Sequence, residues 1–297
     1  MKQQFDNQVS SSFLMWFDHT LLSKGEAYYT VSSNFPSNTS YFNGLYSYNG
    51  PYKGLVYDSS ISGATIMTGV YVNSVKYNLG SSPLSGINYS EGQVFLSSGG
   101  LAVSGSYSVK EFNVLLTSQS EESLLFETQY VRRSKVPTGI LKGSLNENVI
   151  TYPVIFIKSQ GSSNTPFAFG GTDETRLDFR AIVISDSQYN LDAICSLFRD
   201  RNYDNVPLIS SSDNPFNVLG SFKSGIVFNY DSITAGKDFC MIDRVSVSKI
   251  ANAANKGDKD ELLNPSCHYG LIDFELIKMR EPRVWEPPVA LPVEIPC

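Results

Sequence analysis

The sequence predicts a mainly β protein, with antiparallel sandwich-like or barrel-like sheets, one small α/β unit and an extended proline-rich C-terminal arm. Charged residues make up 18% of the 297 residues, below the usual share of about 25%, whereas aromatic residues reach 12%. Serine, asparagine and glycine separate short apolar runs, a pattern typical of strands joined by many turns. This composition excludes a highly charged disordered chain and argues against a helical bundle.

The N-terminal segment, residues 1–25, predicts one short helix. Apolar residues at 13–17 and 21–22 have helical spacing, and a serine at position 10, 11 or 12 is a candidate first residue. Lys24 and Gly25 are expected to end this amphipathic helix.

Residues 26–148 predict a β-rich domain. A strand near residues 26–35 leads into a loop that continues to residue 44, and Asn73-Ser74 and Ser90-Glu91-Gly92 are expected hairpin turns. Further strands are expected at residues 55–57, 69–72, 75–77, 86–89, 93–96, 101–109, 111–117 and 124–131.

Residues 149–280 predict a second β-rich domain with one helix at about 188–200. A strong strand at 175–184 precedes a possible N-cap at Ser185-Asp186-Ser187. The helix that follows places Leu191, Ile194, Cys195 and Phe198 on one face, so strand, cap and helix form the α/β unit. Other strands are expected at residues 154–158, 206–210, 225–230, 239–250 and 270–279.

The last segment, residues 281–297, predicts an extended arm because it holds five of the 14 prolines. Its apolar residues are costly to leave in water, so docking on a neighbouring subunit or on its own body is expected, with disorder as the remaining alternative. We predict subunit contacts from this arm at Trp285, Val289, Leu291 and Ile295.

A tyrosine-dense stretch at residues 28–52 predicts a second contact region, with Tyr41, Tyr46 and Tyr48 as its contact residues. Tyrosine among serine, asparagine and glycine suits both subunit interfaces and sugar-binding surfaces. Assembly is favoured over carbohydrate binding because the sequence has neither a signal peptide nor a modular linker.

Motifs for catalysis, cofactors and metals are missing from the sequence, so none of these sites is predicted. The two histidines, His19 and His268, lie in no HExxH motif, and no GxSxG, Walker or GxGxxG motif occurs. The four cysteines, at 195, 240, 267 and 297, form no CxxC pair, and an intermolecular disulfide at Cys297 stays open. A hydrolase with an unfamiliar site remains a further alternative, decided by whether a histidine, cysteine or carboxylate cluster lies in a pocket.

The net charge of −6 disfavours specific nucleic-acid binding, which depends on clustered lysine and arginine. The sequence contains no run of about 18 apolar residues, so no membrane-spanning helix is predicted. The N-terminus resembles no signal peptide, so we expect a protein made in a cytoplasm or in a particle assembled there.

Three segments carry a resemblance to structural proteins of tailed-bacteriophage virions. Residues 16–28 resemble the N-terminal segment of such proteins, and residues 69–97 are similar to β-rich phage assembly modules. Residues 179–186 followed by 191–194 resemble the strand-then-helix unit of neck or tail-completion proteins.

This resemblance implies a non-enzymatic virion subunit that forms a homo-oligomeric ring in the neck or tail, at the head-tail connection. Its partners would be neighbouring virion proteins, either the portal or adaptor or the tail tube, and DNA would pass through the ring without specific binding. The alternative is a tail-tip module for host recognition or carbohydrate binding. No cofactor and no membrane partner are expected.

Overall fold

The structure is a computed structural model that describes residues 4–42, 44–124, 153–167, 171–210, 212–213, 228–250 and 267–281. The helices in these ranges include α1 (Phe5–Gly25), α2 (Gln188–Arg199) and α3 (Tyr230–Thr234), and residues 121–124 are also helical. Its strands are β1 (Tyr28–Phe35), β2 (Ser37–Phe42), β3 (Leu45–Asn49), β4 (Gly69–Val72), β5 (Val75–Asn78), β6 (Leu84–Asn88), β7 (Gln93–Leu96), β8 (Val103–Lys110), β9 (Asn113–Leu116), β10 (Val154–Pro166), β11 (Asp173–Ser185), β12 (Asn205–Pro207), β13 (Phe239–Ile250) and β14 (His268–Arg280).

These strands form three sheets, which confirms the mainly β fold class. One four-stranded sheet has the order β1-β8-β4-β5, and another has the order β2-β3-β7-β6. The six-stranded sheet has the order β12-β13-β14-β11-β10-β9, in which only β9 and β10 pair in parallel. Because β9 lies before residue 148, this sheet takes strands from both sides of the expected domain boundary.

The two hairpin turns expected within residues 26–148 occur where the sequence predicts them. Asn73 and Ser74 join β4 to β5 with φ values of 48° and 69°, as a tight hairpin turn requires. Gly92 precedes β7 with φ 63°, and a Cβ there would lie 1.9 Å from the carbonyl oxygen of Tyr52. Glycine is therefore required at position 92 by both conformation and space.

The α/β unit is also confirmed. Strand β11 lies between β10 and β14, and α2 buries Leu191, Ile194, Cys195 and Phe198, the four residues expected on one face. Ser187 is the N-cap residue by backbone position, but its side chain does not cap the helix. Instead, the hydroxyl of Ser185 accepts from the Ser187 amide and donates to the Ser187 carbonyl.

Helix α1 begins earlier than predicted, and it is not amphipathic. The hydroxyls of Ser10 and Ser11 donate to carbonyls one turn back, at Asp6 and Asn7, and so act inside the helix. The Ser12 hydroxyl accepts from the amide of Ile209. Residues on most sides of the helix are buried, which is the pattern of a helix enclosed by other elements: Val9, Ser12, Phe13, Met15, Trp16, Phe17, Asp18, Thr20, Leu21 and Leu22.

An aromatic cluster joins α1 to α2 and the six-stranded sheet. The rings of Phe17 and Phe198 stack with centroids 3.8 Å apart, and those of Phe13 and Phe179 stack at 4.6 Å. Phe274 of β14 packs edge-on against Phe13. Large buried rings contribute much apolar area, so α1 is a central element of this core.

Three local predictions differ from the structure. Residues 37–42 form β2 rather than a loop, and Leu55 makes only an isolated bridge to Val109. Tyr230 begins α3 instead of ending a strand, because the Asn229 side chain accepts from the Ser232 amide and caps the helix. Residues 225–227, most of the strand expected at 124–131 and the arm from residue 282 lie outside the described residues.

Candidate functional site

The predicted tyrosine contacts lie on β2 and β3, which pair with each other. Tyr46 is 38% exposed, and its ring lies close to Gly99, where a Cβ would come within 2.6 Å of it. The backbone of Tyr41 pairs with that of Tyr46. Of these tyrosines, Tyr46 therefore presents part of its ring at the surface.

Tyr48 is a core residue, and its assignment as a contact residue is wrong. Its side chain has 0% exposure and lies in the core between the two four-stranded sheets. Its hydroxyl donates to the Ser98 carbonyl and accepts from the Leu101 amide, each at 3.2 Å. A tyrosine with both its ring and its hydroxyl enclosed can contact neither another subunit nor a sugar.

The four predicted contact residues of the C-terminal arm lie outside the described residues. Their place in assembly therefore stays a prediction: Trp285, Val289, Leu291 and Ile295.

Two outer strands carry exposed apolar side chains that sequence reasoning did not single out. On β5, the last strand of its sheet, Val75 is 55% exposed. On β9, the last strand of the six-stranded sheet, Leu115 and Leu116 are 40% and 48% exposed. Within the described residues, no strand pairs with the outer side of β5 or β9. The sequence of β9 could have indicated these exposed residues, because its Val-Leu-Leu run does not alternate apolar with polar residues.

His19 is the centre of a polar cluster that joins α1 to two distant segments. Its Nδ1 lies 2.8 Å from Oδ2 of Asp58, and its ring stacks on Tyr230 with centroids 4.2 Å apart. Its Nε2 lies 3.8 Å from Oδ1 of Asp231, which is well exposed. A carboxylate on Nδ1 orients the imidazole and leaves Nε2 toward the surface.

Asp58 is held as an anion by several donors. Its Oδ1 accepts from the amide and the hydroxyl of Ser60 and from the amide of Tyr230. Burial by itself raises the pKa of this carboxyl, but the hydrogen bonds from His19, Ser60 and Tyr230 outweigh burial and hold the pKa below its ordinary value. The carboxylate thus fixes the relative positions of α1 and α3.

A second buried pair lies on the other side of α1. Lys110 Nζ is 2.6 Å from Oδ2 of Asp18, which also accepts from the Tyr57 hydroxyl at 3.0 Å. The Lys110 ammonium also lies over the Tyr57 ring. Burial, and then the Asp18 carboxylate, raise the pKa of Tyr57, so this phenol stays protonated as a donor. This cluster links α1 to the end of β8.

The described cysteines are packing residues. Cys195, Cys240 and Cys267 are buried. Burial raises the pKa of Cys195, and it raises that of Cys240 to about 12. A thiol that stays protonated is a poor nucleophile.

The described residues contain no group of three or more histidine, cysteine, aspartate or glutamate side chains placed to hold a metal ion. In the same part of the chain, no helix is both long and apolar enough to cross a membrane. The hydrolase alternative would be removed if no histidine, cysteine or carboxylate cluster lay in a pocket. It is retained, because His19 lines a cleft and lies close to the carboxylates of Asp58 and Asp231.

Comparison with known proteins finds no protein family and no curated protein that matches this chain.

Proposed function

We propose that the protein is a non-enzymatic structural subunit of a tailed-phage virion that assembles into a ring in the neck or tail. The observation that carries the proposal is a pair of outer strands, β5 and β9, that expose Val75, Leu115 and Leu116 and whose outer sides meet no strand within the described residues. Open strands of this kind are templates for pairing with another chain, and proteins that stay monomeric usually protect them with lysine, proline or a covering element. Strand β5 carries one such charge, Lys76, whereas β9 carries no lysine and no proline.

Two different outer strands favour a ring over a closed dimer. If β9 of one subunit meets β5 of the next, the contact is head-to-tail, and repeating it closes a ring when the rotation allows. Leu115 and Leu116 would then pack near Val75 and near Tyr71, which is 45% exposed on β4. The C-terminal arm and Tyr46 would add contacts around these paired strands.

The acidic balance supports a position along the path of DNA. A net charge of −6 repels phosphate on average, so DNA could pass through the ring without adhering to it. Neighbouring rings of the virion, the portal or adaptor or the tail tube, would be the partners.

The test measures the mass and shape of the purified full chain by native mass spectrometry and negative-stain imaging. We expect a ring of uniform size, and a wild-type chain that stays monomeric at every concentration would overturn the proposal. Leu116→Lys places a charge on the outer strand and should yield monomers. Tyr189→Lys is the matched control, because Tyr189 is 80% exposed on α2 and belongs to neither outer strand.

Deleting residues 282–297 tests the arm separately. A ring that persists unchanged would remove the arm from the assembly contact and leave the strand contact in place. Glycan binding by a monomeric chain, lost in Tyr46→Ala with the fold intact, would favour the tail-tip alternative instead.

A further inference from the structure

A small cleft lies where the second half of α1 approaches the segment between α2 and β12. Its volume is about 210 Å³, and His19, Ser23, Lys24, Arg201 and Tyr230 are among its lining residues. His19 and Ser23 are four residues apart, so they share one face of α1. Trp16 and Pro207 add apolar walls. The cleft is separate from the outer strands β5 and β9.

Three buried polar atoms on the residues that line this cleft have no hydrogen-bond partner among the described residues. They are Oγ of Ser23, Nε of Arg201 and the hydroxyl oxygen of Tyr230. Buried polar groups are nearly always paired, and an unpaired group in a native fold indicates a water, an ion or a ligand that satisfies it. Three such groups belong to residues that line one cleft.

All three unpaired groups can donate a hydrogen bond. Tyr230 is only 5% exposed, and burial raises the pKa of its phenol well above the ordinary value, so it remains a donor. The guanidinium of Arg201 donates only, because it is always protonated. Ser23 carries a hydroxyl hydrogen that can turn toward an acceptor.

The charges around the cleft agree with an anionic occupant. Lys24 has no carboxylate within salt-bridge distance in the described part of the chain. Arg201 reaches only Asp204, at 3.6 Å and through Nη1 rather than Nε, and Asp204 is the one carboxylate among the lining residues. Asp58 is already bound by His19, Ser60 and the Tyr230 amide, and the Asp231 carboxylate is largely in solvent. Lys24 and the Nε of Arg201 are thus left without an anionic partner.

We propose that this cleft binds a small oxoanion, the phosphate or carboxylate group of a small molecule. Such a group offers several acceptor oxygens and a negative charge, which complement hydroxyl, ammonium and guanidinium donors. The volume admits one small group rather than a nucleotide. A metal ion is disfavoured, because the Lys24 ammonium and the Arg201 guanidinium are positively charged and have no lone pair to offer a cation.

The test titrates the full chain with inorganic phosphate and, separately, with acetate, at constant ionic strength held with chloride. Binding is followed by calorimetry and by the rise in melting temperature. A saturable response to phosphate alone assigns a phosphate site, and a response to acetate alone assigns a carboxylate site. No saturable response to either anion at millimolar concentrations overturns the proposal.

Variants locate the binding. Arg201→Gln should weaken the anion about tenfold or more, whereas Arg199→Gln, an exposed arginine on α2, should leave it unchanged. Tyr230→Phe removes a buried hydroxyl that has no partner, so it should weaken anion binding without lowering the melting temperature of the free protein. Equal binding by Arg201→Gln, Tyr230→Phe and wild type would place the anion elsewhere and overturn the assignment.

Discussion

At the scale of single residues, Asp58 holds three parts of the chain together through one carboxylate. It accepts hydrogen bonds from His19 on α1, from Ser60 in its own turn and from the amide of Tyr230. Only 2% of its side chain is exposed, so water cannot replace lost partners readily. The contact between His19 and Asp58 spans 39 positions, and the contact with Tyr230 spans 172.

Asp58→Asn should lower the free energy of unfolding by about 1.5–3 kcal/mol at neutral pH, because charge-assisted bonds are lost. The pKa of Asp58 is lower in the folded state than its ordinary 3.8. Its contribution is therefore complete above that value and is lost as the pH falls through the folded pKa. Urea unfolding of both proteins across acidic pH should show their difference shrinking below about pH 3.8.

Asp231→Asn is the control, since Asp231 also faces His19 but is 71% exposed. It should change stability by less than about 0.5 kcal/mol. A difference between wild type and Asp58→Asn that stays constant with pH would contradict the assigned role of the carboxylate.

Residue identity alone did not reveal which tyrosines are buried. Tyr46 and Tyr48 are two positions apart on β3 and point to one face, yet only Tyr46 is partly exposed. What separates them is tertiary packing, because Tyr48 belongs to a buried core cluster and Tyr46 does not. The cluster at His19 was missed for the same reason, because Asp58 and Tyr230 become its neighbours only in the fold.

At the scale of elements, the sequence was most informative where the cause is local. The turn at Asn73-Ser74 and the helix start after residues 185–187 depend on a few adjacent residues, and both lie where predicted, although the Ser187 side chain does not cap the helix. The predicted start of α1 was wrong because the hydroxyls of Ser10 and Ser11 donate to carbonyls one turn back instead of capping the helix. A serine suits both roles, and only the surrounding fold decides between them.

The backbone of the turn between β4 and β5 is strained at Ser74, and a substitution should relieve this strain. Ser74 adopts φ 69°, a region that favours glycine and costs other residues about 1–2 kcal/mol. Ser74→Gly should raise the free energy of unfolding by about 0.5–1 kcal/mol, after part of that gain is lost to the greater freedom of glycine in the unfolded chain. Thermal and denaturant unfolding measure the change.

Ser163→Gly provides the matched control, because Ser163 is an exposed residue inside β10 and pairs with Arg176. There glycine should destabilise by about 0.5–1 kcal/mol. Destabilisation by Ser74→Gly as well would show that the turn does not have the left-handed conformation.

At the scale of the whole molecule, α1 connects the sheets into one structure. Phe17 stacks on Phe198 beside the six-stranded sheet, while Leu22 packs with Val56 and Ile61 from the segment between β3 and β4. Asp18, between them on the helix, pairs with Lys110 at the end of β8. A helix that packs against both should make the two regions, the six-stranded sheet and the pair of four-stranded sheets, unfold together.

Phe17→Ala should therefore weaken both regions, although Phe17 belongs to the core of only one. Removing a buried phenylalanine costs about 3–5 kcal/mol. In hydrogen exchange, amides of β11 and β14 and amides of β3 and β7 should lose similar amounts of protection, because they open in one cooperative unit. Tyr189→Ala, at an 80% exposed position, should alter neither set. Protection lost in β11 and β14 alone would show that the two regions unfold separately, and α1 would then belong to the six-stranded sheet only.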